Sequence, residues 1–165
     1  MKKYFLILAF LTGFALHAQQ LKIYEGDYEL SGTGEYNQSQ TGGNFRLGVY
    51  VNDYLQVGID AGMSDSEIFN RLSLGAYVQY LFETQTYLLP YIGTGLGMSS
   101  LDVDGGQSES GVDFKLLTGL KYFLADNVSL NTEIYFVFGT AETFIDENKL
   151  SDSDYGLTLG ISYSW

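Results

Sequence analysis

Apolar and polar side chains alternate along most of the chain, and this alternation constrains the fold more than any other feature. In one stretch, Phe45, Leu47 and Val49 alternate with Arg46 and Gly48. A repeat of two residues is typical of β-strands whose two faces meet different surroundings. The sequence therefore predicts an all-β protein.

The connections between the alternating segments are alternately short and long. Asn52-Asp53, 83–85 and Ala125-Asp126 are tight turns, whereas the other connections are longer and mostly polar, glycine-rich or acidic. Short turns at one end and long loops at the other are typical of membrane barrels. We predict an eight-stranded antiparallel up-and-down transmembrane β-barrel. Its strands are expected at 23–36, 44–52, 54–64, 69–82, 86–100, 112–124, 127–141 and 154–165, and its long loops at 37–43, 65–68, 101–111 and 142–153.

The positions of the charges decide which face of the strands points outward. On this strand assignment no charged residue falls on the apolar face, where an Arg or Lys at the middle of a membrane would cost roughly 2–4 kcal/mol. A soluble barrel or sandwich would instead turn its apolar face inward. Its solvated face would then carry many glycines, which weaken strands. We interpret the apolar face as lipid-facing and keep a secreted soluble barrel that binds an apolar ligand as an alternative.

The segment 86–100 fits the alternation less well than the others. Its even positions are apolar and its odd positions include three glycines, but Tyr87, Leu89 and Tyr91 then face the interior. Pro90 lacks a backbone donor and belongs at a strand start or a bulge. The sequence predicts that the alternation shifts near Pro90.

Aromatic side chains gather near the predicted strand ends, where membrane barrels carry girdles at the two water boundaries. Ordinary β-propensity is the alternative explanation. The candidate girdle residues are Tyr54, Tyr80, Phe82, Tyr87, Tyr122, Phe123, Tyr163 and Trp165.

The N-terminal segment 1–18 has the parts of a secretory signal peptide. Lys2 and Lys3 precede an apolar run, and Ala18 is a small residue before a polar stretch. The run is shorter than the ~20 residues that a membrane-spanning helix needs. We expect cleavage after Ala18, which leaves a barrel domain at 19–165 and removes His17.

Composition excludes several classes of function. Eight basic against 20 acidic residues give a formal charge of −12, which argues against nucleic acid as a partner. The chain has no cysteine and its single histidine is His17. After cleavage, a serine nucleophile would have no histidine base. We predict no enzyme activity, no cofactor and no metal site, and only carboxylate-pair chemistry remains open.

Charged residues on the polar faces are expected to meet inside the barrel, because a buried ion must be paired or hydrated. We predict that Arg46 lies near Glu35 or Asp60, Arg71 near Asp60, and Lys115 near Glu133. Eight strands leave an interior just wide enough for side chains to fill. A plugged lumen is therefore expected, with a small pore or transporter as the alternative. The predicted lumen network comprises Glu35, Arg46, Asp60, Arg71, Asp113, Lys115 and Glu133.

The long loops are acidic, and residues 102–106 have a weak similarity to a calcium-binding loop but lack its full ligand spacing. A solvated acidic surface is the simpler interpretation. Weak binding of divalent cations where the loops meet anionic lipopolysaccharide is the alternative hypothesis.

The last strand resembles the terminal strand of Gram-negative outer-membrane proteins, which end on an aromatic residue. Residues 90–97 are similar to a glycine-rich strand of the same group, and 44–165 resemble the small outer-membrane β-barrel domain family, akin to OmpX-type proteins and the OmpA membrane domain. The outward residues of the last strand are Tyr155, Leu157, Leu159, Ile161, Tyr163 and Trp165.

This resemblance implies an outer-membrane location, contacts with membrane lipid and lipopolysaccharide, and recognition of the last strand by the barrel-assembly machinery. Both chain ends are expected in the periplasm, and four loops outside. We expect a monomer with a structural or surface-interaction role. Loops 101–111 and 142–153 are the candidates for contact with an unidentified partner.

Overall fold

A computed structural model describes residues 23–36, 41–66, 69–103, 107–146 and 149–165. The predicted signal peptide, residues 1–18, lies outside these ranges. Eight long antiparallel strands close into a barrel, and two short strands form a separate small sheet. The barrel strands are β1 (Tyr28–Tyr36), β2 (Thr41–Asn52), β3 (Leu55–Ser66), β4 (Phe69–Leu81), β5 (Leu88–Val103), β6 (Gln107–Ala125), β7 (Val128–Gly139) and β10 (Ser153–Ser164), and the small sheet pairs β8 (Phe144–Asp146) with β9 (Lys149–Ser151).

The barrel is closed by its first and last strands. Each barrel strand pairs with the next barrel strand along the chain, and β1 pairs with β10 from Glu29↔Ser164 to Tyr36↔Leu157. Closure removes the free edges that would otherwise expose backbone donors and acceptors. The predicted eight-stranded antiparallel barrel is confirmed. Among the described residues, no helix is long and apolar enough to span a membrane.

Large apolar side chains cover the outside of the barrel. Leu159 on β10 is 60% exposed and Leu74 on β4 is 65% exposed, whereas Arg46 and Glu133 are buried inside. The predicted orientation is therefore correct, and the soluble alternative with an apolar interior is wrong. We call the outward apolar residues the apolar belt; it includes Leu30, Leu47, Ile59, Leu72, Leu74, Ile92, Leu96, Leu116, Leu120, Leu130, Ile134, Leu157, Leu159 and Ile161.

Strand β5 keeps one alternation along its whole length, contrary to the predicted shift near Pro90. Its pairing with β4 and β6 is continuous, and Leu89 and Tyr91 are both buried in the interior. The carbonyl of Pro90 accepts a hydrogen bond of 2.8 Å from the backbone of Phe82, just beyond the last residue of β4. Proline is tolerated at this position because the backbone N–H that it lacks would lie at the very end of the hydrogen-bond ladder between β4 and β5.

We call the end of the barrel with the tight turns the short-turn end. Tyr28, Tyr163 and Trp165 stack outside it, with ring centroids 6.0–6.1 Å apart in successive pairs. Phe123, predicted to join the girdle, is instead buried inside. The register between β6 and β7 shifts between Phe123 and Ala125. Phe123 comes before this shift, so its side chain points into the lumen, as the side chain of Lys121 does.

At each end of the barrel, a strand boundary differs from the prediction. The first strand was expected from residue 23, but a turn with a positive φ of 95° at Gly26 delays β1 until Tyr28. At the opposite end, which we call the loop end, β5 and β6 pair as far as Val103↔Gln107. Most of the predicted loop 101–111 is therefore paired, because backbone pairing does not require apolar side chains.

Candidate functional site

The middle of the lumen is crossed by an ion pair between β2 and β7, strands that are not neighbours in the barrel. The Nη1 and Nη2 atoms of Arg46 donate to the two carboxylate oxygens of Glu133 at 2.6 and 2.7 Å. Both side chains are almost completely buried, with 7% and 1% exposure. This two-point geometry is the strongest arrangement that an arginine and a carboxylate can form.

Glu133 also receives other partners. The hydroxyl of Tyr91 on β5 donates to its Oε2 at 3.2 Å, and the Nζ of Lys115 on β6 lies 3.9 Å from its Oε1. The guanidinium of Arg46 in turn lies 5.5 Å from the centre of the Tyr77 ring. Side chains from β2, β5 and β6 therefore surround one carboxylate on β7, which satisfies a charge that would be costly to bury alone.

A second ion pair lies closer to the short-turn end. The Nζ of Lys121 donates to both oxygens of Glu29 at 2.7 and 2.6 Å, and to the Tyr50 hydroxyl at 2.9 Å. The Tyr50 hydroxyl also donates to Glu29 at 2.9 Å. The sequence network omitted Glu29 and Lys121. Their inward position in the alternation was the signal that could have identified them.

A third cluster of interacting side chains lies at the loop end. Arg71 on β4 donates to Asp113 on β6 at 2.9 Å. The ring of Phe144 lies 4.2 Å from the Arg71 guanidinium carbon, and Thr143 bonds to Ser99 at 2.9 Å. Phe144 and Thr143 are fully buried, so the segment after β7 turns into the mouth of the barrel. Nothing in the polar pattern of the predicted loop 142–153 indicated this inward turn.

The predicted pairing of Arg71 with Asp60 is wrong, and Arg46 forms its ion pair with a residue other than its predicted neighbour Asp60. Arg46 pairs with Glu133 and Arg71 pairs with Asp113, whereas Asp60 forms no ion pair with any described residue. Asp60 lies directly opposite Arg46 in the β2–β3 register. Long arginine side chains reach across the narrow interior, however, and meet carboxylates on strands that are not adjacent. The predicted neighbours Lys115 and Glu133 lie 3.9 Å apart, and the Glu35 side chain lies outside the described part of the structure.

Glycines make room for the large residues of the lumen. A Cβ atom at Gly119 would lie 2.5 Å from the Tyr91 ring, and one at Gly156 would lie 2.6 Å from the Tyr135 hydroxyl. Both distances are shorter than real carbon contacts. The polar face is therefore rich in glycine because tyrosines from neighbouring strands occupy the space.

The space that the side chains leave in the lumen forms two cavities. A cavity of about 60 Å³ lies on the loop side and one of about 10 Å³ on the short-turn side, and Arg46 and Tyr77 line both. Asn44 Oδ1, Arg46 Nε, Arg71 Nε and Asp113 Oδ1 are buried without a hydrogen-bond partner among the described residues, and all four residues line the larger cavity. A polar cavity of this size accommodates water molecules that can complete these bonds.

The ionisable side chains of the lumen are mostly paired with one another. Its carboxylates are mainly engaged by arginine, lysine and tyrosine, and the described residues include no histidine. Within the described ranges, no group of three or more His, Cys, Asp or Glu residues could hold a metal ion. The arrangement is suited to filling and bracing the barrel.

The chain matches a family model and several solved structures. The family described as "Outer membrane protein beta-barrel domain" matches residues 6–164. Neisserial surface protein A (NspA) is 21% identical with a TM-score of 0.63, over 84% of this chain and 95% of that one. No curated protein sequence matches the chain.

Two further structures share the fold. The outer membrane protein OprG from Pseudomonas aeruginosa is 12% identical with a TM-score of 0.56, over 89% of this chain and 99% of that one. Ail, the attachment invasion locus protein of Yersinia pestis, is 18% identical with a TM-score of 0.53, over 86% of this chain and 99% of that one. At these identities the likeness concerns the fold.

Proposed function

The chain belongs to the outer membrane protein β-barrel domain family, and from this premise we propose that it is a structural or surface-interacting barrel whose lumen is plugged by charged side chains. Its location is the outer membrane of Gram-negative bacteria. The proposed role is not enzymatic, because the only histidine of the chain is His17 in the predicted signal peptide. Export through that segment is part of the proposal.

The bidentate contact between Arg46 and Glu133 carries the proposal of a plug. It spans the lumen with nearly complete burial. Removing either partner would leave the other charge buried and uncompensated, at a cost of about 3–5 kcal/mol. An open lumen would require these two buried side chains to separate, and their mutual pairing disfavours this.

The loop end supports a role in surface contacts. Asp65, Asp102, Glu109, Glu142 and Asp152 are exposed there, and the paired ends of β5 and β6 present part of this acidic surface. We propose that this surface contacts lipopolysaccharide or an unidentified partner. Divalent cations would bridge the carboxylates to anionic sugars. The chain acts as a monomer in this proposal, since the closed barrel leaves no strand edge for another copy.

The outward residues of β10 support a role in biogenesis. Tyr155, Leu157, Leu159, Ile161 and Tyr163 are all exposed on one face that leads to Trp165. We propose that this face is the signal recognised by the barrel-assembly machinery.

Conductance across planar lipid bilayers tests the plug. The purified protein should give no large, stable single-channel steps. A variant that removes the central pair, Arg46→Ala with Glu133→Ala, should give steps if it folds, while Asp102→Ala with Glu109→Ala at the exposed loop end should remain silent. Large, stable steps from the unmodified protein would refute the plug and favour the small pore.

A further inference from the structure

The apolar belt contains a long depression on the lipid-facing side of β3 to β7. Its volume is about 450 Å³. Its floor is formed by Thr94, Thr118 and the backbone at Gly93. Its walls include Leu55, Tyr80, Ile92, Leu116, Ile134 and Phe136.

The depression exists because two short side chains lie among long ones on the outer face. Thr94 pairs with Val78 and Leu116, and Thr118 pairs with Ile92 and Ile134. Outward side chains at directly paired positions are close neighbours on the sheet. Each threonine therefore leaves a gap between large apolar residues, and the two gaps merge into one groove.

The floor of this groove is apolar despite its two hydroxyl groups. The Thr94 hydroxyl donates to the Lys115 carbonyl at 2.9 Å, and the Thr118 hydroxyl donates to the Tyr91 carbonyl at 3.1 Å. With both donors bonded to the backbone, the groove offers almost no polar partner to a ligand. A hydrocarbon chain fits this chemistry, whereas a polar molecule would lose its hydrogen bonds there.

One end of the groove reaches the water boundary at the short-turn end. Leu55 is the first residue of β3, and the Tyr80 ring lies 6.4 Å from Tyr54 and 5.3 Å from Phe82. The neighbouring Glu83 carboxylate raises the pKa of the Tyr54 phenol. The exposed Asp53 adds a second negative charge to this boundary.

We propose that this groove binds one acyl chain of a membrane phospholipid, and that the acidic boundary at Asp53 and Glu83 favours a head group bearing an amine. The groove supplies the apolar contact, and the two carboxylates supply the charge complementarity. The site uses the membrane location of the barrel and does not depend on a plugged lumen, so failure of either proposal leaves the other standing.

Native mass spectrometry of the full barrel released from detergent tests the acyl-chain site. The protein is mixed with phosphatidylethanolamine or phosphatidylglycerol carrying identical acyl chains. The unmodified protein should retain one phosphatidylethanolamine at collision energies that strip the detergent. Thr94→Leu with Thr118→Leu, which fills the groove, should lose this retained lipid.

Thr132→Leu is the matched control, since Thr132 is exposed on the outer face and pairs with Leu120 and Leu159 outside the groove. If the double variant does not fold, Thr94→Leu alone should show reduced retention. Equal lipid retention by a folded groove variant and by the control would overturn the acyl-chain site.

The head-group preference has its own readout. Asp53→Asn with Glu83→Gln should reduce retention of phosphatidylethanolamine relative to phosphatidylglycerol and leave the groove intact. If the unmodified protein retains the two lipids equally, the proposed preference for an amine is wrong.

Discussion

Glu133 has side-chain partners on three other strands of the lumen, β2, β5 and β6. It accepts two bonds from Arg46 and one from Tyr91, and Lys115 lies 3.9 Å away. A membrane barrel cannot replace such partners with bulk water, because the strand wall and the surrounding lipid exclude it. Each inward charge therefore requires partners within the lumen or in its small cavities.

Neutralising Glu133 should destabilise the barrel by removing the anion that faces Arg46. We expect Glu133→Gln to lower the free energy of unfolding by about 3–5 kcal/mol, the usual cost of breaking a buried pair. Urea titration of the protein refolded in lipid vesicles measures this change. Glu109→Gln at the exposed loop end should change it by less than about 0.5 kcal/mol. Equal effects of the two substitutions would show that the central pair contributes no special stability.

The direction in which each of these residues points could be predicted, and so could the proximity of Lys115 to Glu133, but the ion-pair partner of Arg46 could not. The alternation alone places Arg46, Glu133, Glu29 and Lys121 on the inward face. Arg46 and Glu133 are 87 residues apart in the chain and meet only because the barrel is closed. The sequence pattern does not show which strands face each other across a closed lumen. It therefore predicts ion pairs between adjacent strands only.

At the scale of single elements, β10 combines two tasks. It closes the barrel against β1, and its outer face ends in the aromatic cluster of Tyr28, Tyr163 and Trp165. Aromatic side chains at this depth favour the boundary between lipid and water. The same residues can therefore position the last strand before closure and anchor it afterwards.

Trp165→Ala should slow assembly by the barrel-assembly machinery in reconstituted vesicles. The expected cause is loss of the terminal aromatic residue that we propose as part of the signal. Phe82→Ala removes an exposed aromatic residue near the same end outside β10 and should leave the assisted rate nearly unchanged. Electrophoresis of samples taken over time measures the folded fraction. If both variants slow assembly equally, Trp165 acts only as a member of the girdle.

The strand cores could be predicted from the alternation, whereas their ends could not. A strand that leaves the membrane continues to pair as long as its neighbour does, as β5 and β6 do to Val103↔Gln107. Phe144 is buried against Arg71, but it lies in a polar segment that carries no periodic pattern. Its position depends on the space left at the mouth of the completed barrel.

In the whole molecule, the outer surface of the strand wall faces lipid and its inner surface carries the buried ion pairs. The apolar belt requires lipid outside, and the buried ion pairs brace the strand wall from within. With its eight strands hydrogen-bonded in a ring, the barrel can open only by breaking a complete strand pair. Local fraying at one edge, the usual start of unfolding in an open sheet, has no place to begin.

This closure predicts that the folded barrel survives detergent at room temperature and migrates differently from the heated chain in gel electrophoresis. Samples heated in steps should show one conversion between the two bands. Glu133→Gln should convert at a lower temperature than the unmodified protein, because the wall loses its central brace, while Glu109→Gln should convert with the unmodified protein. A single mobility at every temperature would contradict the closed barrel as a detergent-resistant unit. If Glu133→Gln and Glu109→Gln convert at the same temperature, the detergent resistance comes from the closed ring of strands and not from the central ion pair.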